Sequence, residues 1–549
     1  MRVDKAGNWA IASRDLFKGL GCEHCVRLSM AVKAEVPSVL AKVKPYVQDL
    51  NTKLPIVQGN QRERMVFDQI RSSLPEGSFS ELENATVQTT VAEMQKLVPV
   101  IAQGYFSMNL DGYEWSGFAD LLVLEGFEVE QSQNGLISVV QTGQVPPNPK
   151  YMPWDVKNSS SGDPKYQIQL SGYLEALRLL GMASEQAMGI VLAFSKGIVR
   201  YEVAESMQLY AGAKSALLAI LDQTSPATIT EDFIQSWSCI KKSVCTDVYC
   251  DYPELCQSTF KAERVLELLP NLHHTHGPKL RAAGFSDFTK LANCEAVPTI
   301  DGLKPNYVSK YWLAAKAMQS EFAGQKSLVP KLEGTPKLPP PTSEDLFFDI
   351  EWFNPVDSDK EFVFMFGAVA ADESFEAFIA EKPDQELGQF DRFLDHAMAK
   401  LKANPEMHIY HFHNPEPLKV DKLVKRYGNH RALEAAEIIA RMVDLKVVAS
   451  DSFIPGTGSY SIKKLEKYYD ADSKLHRGGL VAGGADAMYQ FELFRVALFE
   501  SGDRDLADQI MKGISDYNKD DCLSTKLLYD WLRSLNFETK DEILILGCL

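Results

Sequence analysis

The chain has 549 residues, with 57 Lys and Arg against 74 Asp and Glu for a formal net charge of −17, and 45% of its residues are hydrophobic. That length exceeds what one hydrophobic core can organise, and a prior of roughly 150 residues per domain predicts three or four domains. Ordinary apolar content excludes a largely disordered chain, and the acidic balance excludes coating of nucleic acid by bulk charge; an enzyme that gathers carboxylates around metals and keeps its basic residues along a groove stays open.

Met1-Arg2-Val3-Asp4-Lys5 leads into no apolar stretch of signal-peptide length, and no run approaches the roughly 18 apolar residues of a membrane span, so a cytoplasmic location away from membranes is expected. Nine cysteines are few for a secreted disulfide scaffold of this size, which leaves them as thiols or ligands.

The first 260 residues or so mix helical patterns with short strands. Cys22 and Cys25 lie near the start. Gly117-Phe118-Ala119-Asp120-Leu121-Leu122-Val123 reads as an apolar strand with one acid, and the Gln/Asn/Gly/Pro-rich residues 128–150 read as a loop. In Trp154-Asp155-Val156-Lys157 the charged pair shares one strand face, and Gln169 and Tyr173 share one face of the following helix. Two acids can hold a cation against a phosphate while a lysine steadies a water or a developing charge. Taken singly, an Asp-x-Lys pair is more often a surface salt bridge and a Gln/Tyr pair more often helix packing. Four thiols, Cys239, Cys245, Cys250 and Cys256, then crowd eighteen residues, a density that suits zinc or an iron–sulfur cluster.

From Val265 to about Ala323 the pattern is helical, with turns at 272–278 and 302–305 that predict two short hairpins. His273, His274 and His276 are expected at the surface. Residues 326–343, with Pro330, Pro336, Pro339, Pro340 and Pro341, read as a stiff extended linker that cannot be helix or central strand. Beyond it, strands around 346–352, 361–370 and 408–412 and helices around 416–428 and 504–534 make an α/β pattern. In Leu346-Phe347-Phe348-Asp349-Ile350-Glu351-Trp352 alternation puts Asp349 and Glu351 on one face, while Leu346, Phe348, Ile350 and Trp352 pack the other. Like charges side by side in a buried strand call for a divalent cation; an edge strand with both acids in water is the alternative. Glu416 opens a helix after Tyr410-His411-Phe412-His413-Asn414-Pro415, where acids are common anyway, and His411 and His413 are expected in core or groove. Tyr517 and Asp521, at i and i+4, project together from the last helix.

Phe347 to Trp352, the strand-to-helix Glu416 and Tyr517-Asn518-Lys519-Asp520-Asp521 together resemble the DEDD exonucleases of the RNase H-like fold. The resemblance implies that Asp349, Glu351, Glu416 and Asp521 hold two Mg²⁺ or Mn²⁺ ions, one activating water and one stabilising the leaving oxygen, with Tyr517 orienting the water. Glu416 departs from the aspartate usual at its position, and Asp520 competes with Asp521 for the last one.

The ordered set Asp120, Asp155-x-Lys157, Gln169 and Tyr173 resembles the PD-(D/E)xK nuclease core of the RecB family, which implies a second catalytic set with Asp120 and Asp155 on the metal. A distant first cysteine and a later trio resemble its iron–sulfur-stapled members. That implies a 4Fe-4S cluster on Cys22, Cys245, Cys250 and Cys256, with zinc as the alternative, Cys239 in reserve and Cys25 as packing. Gly59-Asn60-Gln61-Arg62-Glu63 stands where such nucleases often carry Gly-x-x-His-Glu. Arg62 cannot ligate a cation, so that site is impaired or uses Glu63, unless the stretch is an ordinary exposed helix. Residues 272–291 resemble a helix-hairpin-helix element with Lys279 near phosphate, a plain helical spacer being the alternative.

In full, the order resembles a bacterial RecB-like nuclease family fused to an RNase H-like DEDD exonuclease domain. The expected fold is α/β multidomain: a restriction-endonuclease-like core with cysteine cluster at 1–262, a helix-hairpin-helix-like segment at 263–325, a Pro-rich linker at 326–343 and an RNase H-like domain at 344–549. The resemblance implies a metal-dependent DNA-processing nuclease of DNA repair, with 3′ to 5′ phosphodiester hydrolysis at the C-terminal site. DNA is favoured over RNA on the resemblance alone. Longer relatives carry a helicase after the second nuclease domain, so a helicase partner is expected in trans. Arg62 and Glu416 motivate the competing reading, a non-catalytic nucleic-acid- or partner-binding protein on degenerate nuclease folds.

Overall fold

The computed structural model describes residues 1–43, 50–235, 250–413, 415–470, 473–477, 481 and 483–546. The chain divides into two compact units: Met1–Thr259 with Pro355–Lys360, and Phe260–Asn354 with Glu361–Leu549. No described helix is long and apolar enough to cross a membrane.

The N-terminal unit is built on an eight-stranded sheet that runs Arg2–Val3, β1 (Trp9–Ala12), β3 (Tyr113–Leu124), β4 (Tyr151–Val156), β5 (Met188–Val191), β6 (Ile198–Tyr201). β2 (Val100–Leu110) joins from the side, pairing β3 along nearly its whole length and Phe79–Glu81 on its other edge. β3 divides its remaining edge between two partners, β1 in parallel at Glu114 to Ser116 and β4 antiparallel at Leu121 to Leu124. Between Ser116 and Leu121 no described strand pairs with that edge, and the backbone around Asp120 needs other partners. Helix α2 (Pro164–Leu179) follows, started by the Asp163 side chain accepting from the Lys165 N–H and by Pro164 in its first turn. The long helix α1 (Leu50–Ser73) packs Val66, Phe67 and Ile70 into the core.

The loop expected at 128–150 is in part a hairpin, Phe127–Gln131 paired with Ile137–Gln141. Alternation explains it, because Val129, Ile137 and Val139 all face the α1 core residues. Its polar and glycine residues occupy the turn and the outer face.

The C-terminal unit carries a five-stranded sheet in the order β9 (Phe375–Ile379), β8 (Phe362–Ala370), β7 (Leu346–Phe353), β10 (Ile409–His411), β11 (Met442–Asp444). β7, β8 and β9 run antiparallel, while β10 and β11 run parallel to β7. Leu346, Phe348 and Ile350 enter one core with Phe393 and Leu394 of helix α3 (Glu386–Ala403), the Phe348 and Phe393 rings stacked at 4.5 Å. Each such buried ring contributes on the order of 1.5–3 kcal/mol. Phe347 enters the opposite core, under Leu528, Tyr529 and Leu532 of helix α5 (Arg504–Ser534). Asp349 and Glu351 therefore face α5, and a register shift between Glu351 and Trp352 bends the strand immediately after them.

The helical segment consists of His276–Ala282, Phe288–Ala292 and Pro305–Phe322 and shares a core with Val329 and Ile454. The expected linker is thus not one throughout. Ser327–Pro330 is the central strand of a small sheet between Phe453–Pro455 and Leu544–Ile545, with Pro330 at its end. Buried Leu328 and Val329 outweigh the local proline signal, and Pro336, Pro339, Pro340 and Pro341 lie outside any helix or strand.

Candidate metal centre

Where β7 passes under α5, one oxygen each from Asp349, Glu351 and Asp521 lies within 4.8 Å of the others. Glu351 is 4% exposed, and Asp349 and Asp521 are half-buried. Burial, followed by the charges of Glu351, Asp521 and Glu416, pushes the Asp349 carboxyl well above the usual range. Glu351 is pushed the same way by burial and Asp521, against a pull from Asn518 and Lys463. Such a group matches the donor set of a hard divalent cation: carboxylate oxygens converging with too little positive charge of their own.

The competition between Asp520 and Asp521 resolves in the helix. Asp521 faces the strand, whereas Asp520 accepts the His476 backbone N–H at 2.9 Å. Tyr517 lies one turn before Asp521, and burial together with the Asp521 and Glu351 charges raises its pKa, so the phenol keeps its proton beside the acids.

Glu416 stands apart from the group of three. It begins helix α4 (Pro415–Arg426), is buried, and its Oε2 lies 3.2 Å from Nδ1 of buried His411. That nitrogen also lies 2.6 Å from the His413 carbonyl, which can only accept, so Nδ1 carries the proton. His413 makes the turn with φ +78°, a left-handed conformation costly for a non-glycine residue, and its N–H donates to Asp444 at 2.9 Å. Burial raises Glu416 while the His411 bond lowers it, leaving it above its usual value. The departure noted at Glu416 thus has a physical form: the longer acid is engaged by histidine, and its charge is felt at Asp349.

Sequence reading missed Asn518. Fully buried, it donates from Nδ2 to Asp349 Oδ2 at 2.8 Å. Gly367, directly opposite Asp349 in register, makes room for it: a Cβ there would sit 1.7 Å from Asn518 Oδ1. Cys522 donates to the Gly367 carbonyl at 3.3 Å, seating the helix on the strand. The signal was a polar residue in the buried stripe of α5, four positions before Cys522.

In the N-terminal unit the predicted residues are linked by short contacts, but their acids form no converging group of three metal-ligating oxygens among the described residues. Fully buried Asp155 accepts from Lys157 at 3.0 Å, and Lys157 lies 3.8 Å from Asp120. The Val156 N–H donates to Asp120 Oδ2 at 2.8 Å, filling the gap between β1 and β4. Burial pulls the Lys157 ammonium down, but Asp155 and Asp120 outweigh it and hold it above the usual lysine range. Burial and Asp155 push Asp120 well up. On α2, Gln169 donates to the Tyr173 hydroxyl at 3.0 Å, and Tyr173 feels both acids. Arg62 is not on an exposed helix face. It is fully buried and turned to the Leu192 carbonyl at 3.0 and 3.1 Å. Its neighbour Glu63 faces the site instead, bonded by Gln103 and raised by burial and Asp155 against Lys157.

Cys239 and Cys245 lie outside the described residues. Cys25, expected to be packing, forms a thiol chain: it hydrogen-bonds Cys250, which hydrogen-bonds Cys256, and all three are buried. Cys22, the residue that caps the start of the Cys25 helix, is half-exposed. The Cys25 bond pulls Cys250 down, but Cys256 and burial prevail and push it up to about 12. His273, His274 and His276 cluster ring to ring, with His276 Nδ1 2.9 Å from the Tyr311 hydroxyl, and join no group of metal-ligating atoms among the described residues. Lys279 is engaged on the Gly302 carbonyl at 2.8 Å.

The C-terminal unit contains an RNase H-like domain. Residues 346–533 match the family model RNase_H_2 of the RNase H superfamily. No curated protein and no solved structure matches the chain.

Two expectations follow. Raised carboxyl pKa values mean that folding takes up protons, so the metal-free protein loses stability as pH climbs from the ordinary carboxylate range of about 4 toward the folded-state values. Asp349→Asn removes one like charge; thermal melts in EDTA at pH 8 should show a gain of about 1 kcal/mol, roughly 2–4 °C, shrinking as pH falls toward 4. Gly367→Ala should cost about 1–3 kcal/mol by overpacking against Asn518, and Mn²⁺ affinity measured by calorimetry should fall with it.

Proposed function

We propose that the chain is a metal-dependent nuclease whose RNase H-like domain hydrolyses phosphodiester bonds from the 3′ end of DNA. The observation that carries this reading is the convergence of Asp349, Glu351 and Asp521 on one buried strand–helix junction within a superfamily of nucleic-acid-processing domains. Asp349, Glu351 and Asp521 would hold Mg²⁺ or Mn²⁺, with Glu416 entering through its charge or through a water. Bound there, the metal supplies an activated water and neutralises charge on the scissile phosphate. Asn518 fixes the Asp349 rotamer, and the protonated Tyr517 phenol, hydrogen-bonded to Asp521, would help orient the attacking water.

The N-terminal unit supports a second reading, a RecB-like PD-(D/E)xK nuclease or DNA-binding domain. Asp120 and Asp155 would ligate metal, Lys157 would stabilise developing charge, and Gln169 and Tyr173 would shape the pocket. Glu63, rather than Arg62, occupies the site beside them. The metal–thiolate staple, a 4Fe-4S cluster on Cys22, Cys245, Cys250 and Cys256 with zinc as the alternative, rests on the resemblance of the cysteine order; the bonding of Cys25 to Cys250 and of Cys250 to Cys256 makes Cys25 a competing ligand.

With purified full chain, 5′-labelled oligonucleotide and Mn²⁺, wild type should give a ladder shortened from the 3′ end. Asp349→Ala and Asp521→Ala should each lower the rate on the order of a hundredfold or more, since even groups that only orient a metal ligand cost 10–100-fold. Unchanged activity in both variants would refute the C-terminal assignment. Anaerobic purification should give brown protein with thiolate-to-iron charge-transfer absorption that Cys250→Ser bleaches; a colourless protein with stoichiometric zinc rejects the iron cluster.

A further inference from the structure

Two positive charges that act on the carboxylate group come from outside β7 and α5. Lys463, on the helix Ile462–Tyr469, reaches over the Tyr517 ring at 5.2 Å and acts electrostatically on Glu351. Arg477 goes further and pairs with Asp521 itself through Nη1, while its Nη2 pairs with Glu466. Its Nε is buried and makes no hydrogen bond among the described residues.

The two ends of this bridge differ in kind. Glu466 is anchored: Ser524 Oγ donates to it at 2.9 Å, and Tyr469 holds that same hydroxyl at 2.9 Å. The segment bearing Arg477 is pinned as well, by buried Leu475 and by the His476 N–H on Asp520 at 2.9 Å. Asp521, by contrast, belongs to the group that a divalent ion would occupy. Arg477 pairs with Asp521 Oδ1, and a guanidinium and a divalent ion drawn to one half-buried carboxylate repel each other. An arginine held on one side by Glu466 and released on the other keeps its planar fork at the edge of the carboxylate group, where it suits the oxygens of a phosphate.

We propose that Arg477 is a substrate-phosphate ligand that rests on Asp521 in the metal-free site and is displaced onto the nucleic-acid backbone when metal loads. This rests on the nuclease reading above. The geometry accounts for Asp520 as well: its role is to hold the arginine-bearing segment beside Asp521.

The test uses full-length wild type, Arg477→Met, which keeps the aliphatic stem, and Arg477→Gln as a second uncharged variant should methionine fail to fold. Calorimetric Mn²⁺ titration without nucleic acid should show the variant binding about tenfold more tightly, since the ion no longer has to break an ion pair. Fluorescence anisotropy with a single-stranded DNA oligonucleotide in Ca²⁺ should show affinity falling about tenfold, and Arg477→Lys should recover only part of it. Unshifted or weakened Mn²⁺ binding in a variant, with wild type still binding, overturns the proposal and leaves the nuclease reading intact. Unchanged oligonucleotide affinity overturns it too. If neither wild type nor variant binds Mn²⁺, the metal centre fails and takes this proposal with it.

Discussion

Two carboxylates on the buried face of a central strand repel each other and have lost much of their hydration, and the surroundings of β7 are organised by that fact. Asp349 and Glu351 cannot move apart, because β7 is fixed by β8 on one side and β10 on the other. Relief has to be brought to them. Asn518 supplies a neutral donor, Lys463 a charge at a distance, and Arg477 a charge in contact with the third acid. Each comes from a helix or segment far along the chain, so folding the C-terminal unit and assembling the site are one event. Gly367 shows how tightly the two are tied, since a single missing Cβ opposite Asp349 is what lets α5 bring its asparagine down to the strand.

The N-terminal unit meets the same electrostatic difficulty by another route. There Asp120 sits where one edge of β3 has no described strand partner, and the Val156 N–H of the neighbouring strand helps satisfy it. The counter-charge is local: Lys157 lies two residues from Asp155 and is held in its charged form by both acids. Arg62 is excluded from this arrangement by its bonds to the Leu192 carbonyl, so a cation approaching the acids would meet Glu63 rather than a guanidinium.

How far these features were legible in the sequence follows from the range of the forces behind them. The faces of β7 were readable because side-chain alternation is local, and Asp349, Glu351, Tyr517 and Asp521 followed from period-2 and period-3.6 spacing. Asn518 and Gly367 were not, since each has meaning only through the other and they lie 151 positions apart. Cys25 is buried, as a packing residue would be, and its bond to Cys250 far along the chain leaves no mark in local spacing. The hairpin at 127–141 and the strand at 327–330 failed for a common reason: glycines, polar residues and one proline were weighed as local breakers, while Val129, Val139, Leu328 and Val329 were being buried by distant partners. Tertiary burial overrode propensity, as it often does for short strands.

The two acidic sites differ in where their counter-charge comes from, and that difference bears on what each unit can do. Lys157 is neighbour to its acids in sequence and is bound to them on a short strand end, so its ammonium belongs to the site whatever else enters it. Arg477 reaches its acid from a separate segment, and only one of its two ion pairs touches the carboxylate group. On the proposal above, Arg477 keeps its pair with Glu466 and exchanges Asp521 for a phosphate. Fixed charge suits stabilisation of a developing negative charge, whereas exchangeable charge suits a site that must be electrically tolerable when empty and still admit a metal. The same composition of acids plus one base therefore supports two different behaviours, and the anchoring of the base, more than the number of acids, decides between them.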